Sequence, residues 1–241
     1  AGQISAEFWG MGSDGTVGAN KNSIKIIGHL TDMHCQAYFV YDSKKSGGLT
    51  QSHLRFGKNP IRSPYLIQPA DFVACHNPSY VDKYDMIGNL KQGGTFLLNC
   101  PWDTAGLEKR LPASMKRALA EKQAKFFTVD AIRIARELGL GNRTNTILQA
   151  AFFKLSNVIP VDQAVAAMKD AVSKSYYRKG QAVVDMNHSS VEHGLNDLNE
   201  VTIPDSWRDA QDELDAADAP DFIREVVIPM NRQEGDAIPV S

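Results

Sequence analysis

The stretch Gly10-Met11-Gly12-Ser13-Asp14-Gly15-Thr16-Val17-Gly18 decides how the chain is read. It directly follows the apolar run Ile4 to Trp9 and leads into Val17 to Ile27, whose apolar residues recur at helical spacing. Strand, glycine turn and helix in that order form the setting in which such glycines matter. A missing Cβ lets the backbone turn tightly and approach a pyrophosphate, while free N–H groups and the positive end of the helix dipole face the anion. Thr16 is placed to add a hydroxyl donor. Gly10, Gly12, Ser13, Gly15, Thr16 and Val17 are therefore candidate phosphate-binding residues. Glycines at such a turn also serve close packing alone, and Asp14 suits an anion site only if its side chain caps the helix and points away.

Outward from this turn, short apolar runs alternate with helical patterns over the first 140 residues, the rhythm of a parallel sheet covered on both faces. Strands are expected at Ile4 to Trp9, Gln36 to Tyr41, Asp71 to Cys75, Thr95 to Asn99 and Lys125 to Val129. Helices are expected at Val17 to Ile27, Tyr80 to Leu90, Ala113 to Gln123 and Ala131 to Leu138. A hairpin or edge strand is expected between Leu49 and Ile67, because Pro60, Pro64 and Pro69 confine that stretch to edges and loops. After Gly139-Leu140-Gly141 the pattern becomes helical at Thr144 to Leu155, Val161 to Ser175 and Gly180 to Leu198. The fold class is α/β, a Rossmann-like mostly parallel sheet with helices on both faces and a C-terminal helical annex. Residues 1–200 form that domain, and 201–241, with the acidic run Asp205 to Asp221 and the apolar strip Phe222 to Ile228, form an arm or linker.

The 241 residues are 43% hydrophobic, enough for a core rather than disorder. The 26 basic and 28 acidic residues nearly cancel, so no overall field favours nucleic acid or an anionic membrane, and any anion site must be local. Three dispersed cysteines, Cys35, Cys75 and Cys100, suit a reduced, cytoplasmic chain and cannot alone hold a cubane cluster, which takes four thiolates. No apolar run is long enough for a membrane span or a signal peptide. The start without Met and the polar end are those expected of a segment cut from a longer polypeptide.

Tyr41-Asp42-Ser43-Lys44-Lys45-Ser46-Gly47-Gly48 stands at the carboxyl end of the second strand, where such folds select the nucleotide. Asp42 alone suits a ribose diol. Lys44 and Lys45, flanked by Ser43 and Ser46, suit a phosphorylated ribose, as in NADP (2′) or coenzyme A (3′), or else form a solvated basic turn. Ala74-Cys75-His76-Asn77-Pro78 and Asn99-Cys100-Pro101 close two further strands and face the same crevice, with Asn77 and Asn99 as hydrogen-bond candidates. Cys75 and His76 point to opposite faces of an extended chain, which disfavours a thiolate–imidazolium pair. The six histidines form no metal motif. Arg55, Arg62 and Gly141-Asn142-Arg143-Thr144-Asn145 are anion or docking candidates that read equally as surface.

Gly12 to Lys25 (including Asn20), Tyr41 to Gly48, Ser52-His53-Leu54-Arg55-Phe56-Gly57 and Ala74 to Pro78 together resemble the γ region of pyruvate:ferredoxin (flavodoxin) oxidoreductases. The similarity runs in order from about residue 8 to about residue 190. The resemblance implies the coenzyme A-binding part of an enzyme that oxidatively decarboxylates pyruvate to acetyl-coenzyme A. The glycine loop, with Asn20, then takes the pyrophosphate and the lysine loop the 3′-phosphate. Thiamine diphosphate, magnesium and iron–sulfur clusters are expected in the rest of the enzyme, since no thiamine-type Gly-Asp-Gly with paired asparagines and no ferredoxin cysteine run occurs here. The expected partners are those other domains, ferredoxin or flavodoxin through them, and a second copy of the parent. The segment alone is expected to be inactive. Two rival readings are an NADP-dependent dehydrogenase and a non-catalytic structural domain.

Overall fold

The computed structural model describes residues 2–42, 47–211, 220–231 and 238. Seven strands form one sheet: β1 (Gln3–Met11), β2 (His34–Tyr41), β3 (Leu49–Gly57), β4 (Ala70–Cys75), β5 (Leu90–Asn99), β6 (Lys125–Val129) and β7 (Asn199–Val201), in the order β2-β3-β1-β4-β5-β6-β7. β1, β4, β5 and β6 pair parallel, whereas β3 runs against both β1 and β2, and β7 runs against β6. β2 thus points the same way as β1, and the sheet is mostly parallel.

Alternation along the strands divides the core in two. One face of the sheet, with Phe8, Leu54, Phe56, Phe72 and Leu97, packs on α1 (Thr16–Leu30) and, past the short α2 (Thr104–Arg110) and α3 (Ala113–Glu121), on α4 (Ala131–Glu137) and α5 (Asn145–Ser156). α6 (Val161–Tyr176) and α7 (Gln181–Asn196) extend the same layer through Ala164, Met168 and Val191. The other face, with Val73, Cys75, Phe96, Leu98 and Phe126, is covered by α2, α3 and the connection after β4. Phe152 of α5 sits 5.1 Å from Phe8 and 5.2 Å from Phe72, ring centre to ring centre. The helices after residue 140 therefore form the helical annex on one face of the sheet, continuous with the α1 layer.

Two expectations are corrected. Tyr80 to Leu90 is not an α-helix: Pro78–Tyr80 makes a short 3-10 turn, and Asp85 then accepts from the N–H groups of Ile87 and Gly88, which bends the chain before β5. Apolar spacing there reflects burial of Val81, Met86 and Ile87 without helical geometry. The strand after Leu49 lies inside the sheet and is buried throughout, because the prolines all follow its last residue, Gly57. Within the acidic run, Trp207 is 2% exposed and packs against Phe126. Its indole donates to Glu108, and Arg117 donates to the carbonyl of Ala210, so the chain stays on the domain to that point. Beyond it, Ile223–Val227 is a π-turn that continues into α8 (Ile228–Asn231), with Phe222 and Met230 exposed. Among the described residues no helix is long and apolar enough to cross a membrane.

One row on the α3 side of the sheet is polar although buried: Ser5 faces Arg55, and Glu7 faces His53, across β1 and β3. Asn89 donates to Glu7 at 2.8 Å. Burial pushes the Glu7 carboxyl up to about 7 against that hydrogen bond, with Asp85 adding to the rise, and burial and Arg55 push His53 down to about 4. Folded Glu7 keeps a proton that an unfolded chain releases near 4.5. Its contribution is thus complete below that pH and lost as the pH rises through 7. Relative to wild type, Glu7→Gln should gain unfolding free energy on the order of 2–3 kcal/mol between about pH 5 and about pH 8. Urea denaturation of the two proteins at both pH values reads that gap, which stays flat if Glu7 is ionised when folded.

Candidate functional site

Because β1, β4, β5 and β6 run parallel, their carboxyl ends share one edge of the sheet, and β2 brings residue 42 to the same edge. The glycine turn stands at the centre. A Cβ on Gly10 would lie 2.5 Å from the Thr16 hydroxyl oxygen and 2.8 Å from Thr16 Cβ, so glycine is what lets α1 start against the end of β1. Gly15 has φ +90°, and a Cβ there would meet Asn145 at 3.1 Å, which sets the start of α5 against the same turn.

Asp14 turns inward. Its carboxylate accepts from Met11 N–H at 2.8 Å and from Thr16 N–H at 2.7 Å, closing the loop on itself. Gly12 N–H is used by the carbonyl of Gly48 at 2.7 Å. Val17 and Gly18 lie in the first turn of α1, where no preceding helical carbonyl can take their N–H groups. Both border a cavity of about 450 Å3, lined also by Met11, Gly12, Ser13, Asp14, Gly15, Tyr41 and Thr50. The Thr50 hydroxyl is buried there without a protein partner.

Thr16 does not reach this cavity. It is 1% exposed, and its hydroxyl is hydrogen-bonded to His76 Nδ1 at 2.7 Å, which ties the end of β4 to the start of α1. The expected hydroxyl donor is thus spent inside the protein. Burial pushes His76 down to about 4, although the charge of Asp14 acts the other way, so the ring is neutral at pH 7, and its Nε2 is enclosed without a partner. Asn20, one turn on from Thr16, is 3% exposed with its amide nitrogen unpartnered. Asn99 is 2% exposed, donates to the carbonyl of His76 at 2.9 Å and accepts from Ala131 N–H at 3.0 Å. It braces three strand ends from behind. Asn77 accepts from Ser79 N–H and opens the turn after β4.

Cys75 donates to the carbonyl of Asn77 at 3.0 Å, and burial pushes its thiol up to about 12 and that of Cys100 up to about 11. Neither is a thiolate nucleophile at neutral pH. Ser43, Lys44, Lys45 and Ser46 lie outside the described residues. Their flanks are placed: Asp42 N–H donates to the carbonyl of Leu49 at 3.0 Å, and Gly47 and Gly48 stand beside Gly12. Tyr41, which heads the lysine-loop motif without being one of its candidate site residues, and Thr50, which no motif marks, join the site. Asn145 was visible only as part of a polar helix start. The arrangement provides a helix start with open first-turn N–H groups over a cavity whose walls mix backbone polar groups with apolar side chains.

A family model described as "Pyruvate ferredoxin/flavodoxin oxidoreductase" matches residues 5–196, and a second, EKR, described as a domain of unknown function, matches residues 209–241. The chain is 54% identical over its whole length to a pyruvate-flavodoxin oxidoreductase of Enterobacter agglomerans, of which it spans 21%. Among solved structures it resembles the pyruvate oxidoreductase subunit PORC of Thermotoga maritima, with a TM-score of 0.67, 17% identity and coverage of 84% of this chain and all of that one. The γ subunit of a keto/oxoacid ferredoxin oxidoreductase from Geobacter sulfurreducens matches with a TM-score of 0.57, 20% identity and coverage of 82% and 97%. At those identities the two structures speak for the fold.

The bond between Thr16 and His76 makes a separable claim. Thr16→Val removes a buried hydroxyl partner and should cost about 1–3 kcal/mol in chemical denaturation. A loss below about 0.5 kcal/mol would show that the contact holds nothing together.

Proposed function

Because the chain belongs to the pyruvate ferredoxin/flavodoxin oxidoreductase family, we propose that it is the part of such an enzyme that holds coenzyme A. The parent enzyme, on this reading, oxidatively decarboxylates pyruvate to acetyl-coenzyme A and carbon dioxide and reduces ferredoxin or flavodoxin. The observation that carries the proposal is the bond from Gly12 to Gly48, which places both ends of the 43–46 segment at the glycine loop. One ligand with a pyrophosphate and a ribose 3′-phosphate then uses both features.

The N–H groups of Val17 and Gly18 face the pyrophosphate at the positive end of α1, with Gly12, Ser13 and Gly15 shaping its bed. Lys44 and Lys45 neutralise the 3′-phosphate, with Ser43 and Ser46 as hydroxyl partners. Gly10, Thr16 and Asn99 hold the loop in place, Asn77 shapes the adjoining turn and Asn20 lies buried behind it, while Thr50 supplies a polar wall. The chain contributes position rather than a reacting group, bringing the thiol to an acyl group carried elsewhere in the protein.

Among the described residues no three His, Cys, Asp or Glu side chains converge as a metal site, and the three cysteines are dispersed. Thiamine diphosphate, magnesium and iron–sulfur clusters, which supply carbanion chemistry and electron transfer in this reading, are accordingly proposed for the remainder of the protein. So are the contacts with ferredoxin or flavodoxin and with a second copy. The 209–241 segment is proposed as the arm leading there.

Titration calorimetry at low salt with coenzyme A, 3′-dephospho-coenzyme A and NADP tests the reading. Removal of the 3′-phosphate should weaken binding roughly 10- to 100-fold, as expected for losing charge-assisted hydrogen bonds. The double variant Lys44→Ala/Lys45→Ala should bind the two forms alike. Preference for NADP would make the site a dehydrogenase's. Unchanged discrimination in the double variant would remove the lysines from the site.

A further inference from the structure

The sequence presents Arg55 as a surface residue, whereas in the structure it is 3% exposed. One terminal nitrogen donates to Gln36 Oε1 at 2.8 Å and the other to the carbonyl of Tyr65 at 2.7 Å, and the guanidinium lies 5.2 Å from the centre of the Tyr65 ring. All of these partners are neutral acceptors. Among the described residues no carboxylate pairs with Arg55. The neighbouring acid, Asp71, already accepts from Lys91 at 2.7 Å and from Ser5 N–H at 2.8 Å. A guanidinium taken from water without a counter-ion is costly, on the order of several kcal/mol, and guanidinium keeps its proton, so it cannot escape by neutralising.

Beside it lies a cavity of about 190 Å3, lined by Gln3, Ser5, Arg55, Tyr65, Gln68 and Lys91 among others. It sits where β1 begins, at the opposite edge of the sheet from the glycine loop. Four separate segments bring side-chain donors to it: two amides, one hydroxyl and two cations. Gln3 donates to the Ser5 oxygen at 3.5 Å, which leaves the Ser5 proton free to turn into the cavity. At roughly 30 Å3 per water, the space holds about six waters, or one tetrahedral or planar oxyanion with its hydration. Ile67 and Pro69 complete the lining, in which the hydrogen-bonding side chains outnumber the apolar ones.

We propose that this cavity is a second anion site, which takes a small oxyanion such as a phosphate, a sulfate or a short carboxylate on Arg55, with Lys91, Ser5 and Gln68 around it. The anion supplies the counter-charge that the fold withholds from Arg55 and locks the 58–69 connection onto β3 through Tyr65. The site is independent of the glycine loop.

Selenate is a suitable probe, because its selenium is located directly by anomalous diffraction. Crystals of the full-length protein, first saturated with coenzyme A so that the glycine loop is occupied, are soaked in sodium selenate, and the same titration is followed by calorimetry. A selenium peak within hydrogen-bonding distance of the Arg55 guanidinium is expected. Arg55→Gln should abolish it and weaken selenate binding at least about tenfold, as for loss of a charged donor. Lys91→Met, at a half-exposed position that keeps the fold, should weaken it about two- to fivefold, and it decides the matter if Arg55→Gln fails to fold. No peak at Arg55, a peak unchanged in both variants, or a carboxylate side chain from another part of the protein filling the cavity would each overturn the proposal.

Discussion

The close approach of Thr16 to Gly10 is the contact on which the rest of the glycine-loop edge depends. With no Cβ at Gly10, the Thr16 side chain sits against the end of β1, and its hydroxyl reaches across to His76 at the end of β4. His76 in turn offers its carbonyl to Asn99 on β5, and Asn99 accepts from Ala131 where α4 begins after β6. A single chain of hydrogen bonds therefore links the ends of β4, β5 and β6 to the starts of α1 and α4, and the Gly10 contact adds the end of β1. The first-turn N–H groups of α1 keep a fixed place relative to the cavity because Thr16, Asn99 and Ala131 are buried and each member of the chain is hydrogen-bonded on the side facing its neighbour.

The two faces of the sheet are stabilised differently. Toward α5 the contacts are aromatic and aliphatic, with Phe8, Phe72 and Phe152 in mutual edge contact, which favours a single packing. On the other face, between β1 and β3, Glu7, His53 and Arg55 form a row that apolar residues would fill at lower cost in desolvation. Burial raises Glu7 and lowers His53, so both favour their neutral forms, whereas Arg55 cannot. The apolar face supplies rigidity, and the polar face carries the unresolved charge.

Much of the secondary structure was legible because it obeys local rules. β6 has the expected bounds, and α3 to α7 begin within a residue or so of the expected starts. The glycine turn was legible too, since its strand, turn and helix are consecutive. The failures share one cause. Tyr80 to Leu90 has the apolar spacing of a helix, yet Pro78 and the Asp85 turn set its backbone. β3 was demoted to an edge by prolines that belong to the following connection. Nor could local pattern show that the Thr16 hydroxyl is hydrogen-bonded to a histidine sixty positions away.

The sequence by itself determined the α/β class, the parallel core strands, the anion-type turn at residues 10–18 and the family resemblance, all of which rest on short-range pattern or on ordered motifs. Tertiary structure alone decided that β3 separates β1 from β2, that α5 supplies Phe152 to the core of one sheet face, and that Arg55 is buried with no acid paired to it among the described residues. The reason is physical: periodicity reports which side of an element is apolar, but strand order and the satisfaction of buried charge depend on neighbours far apart in the chain.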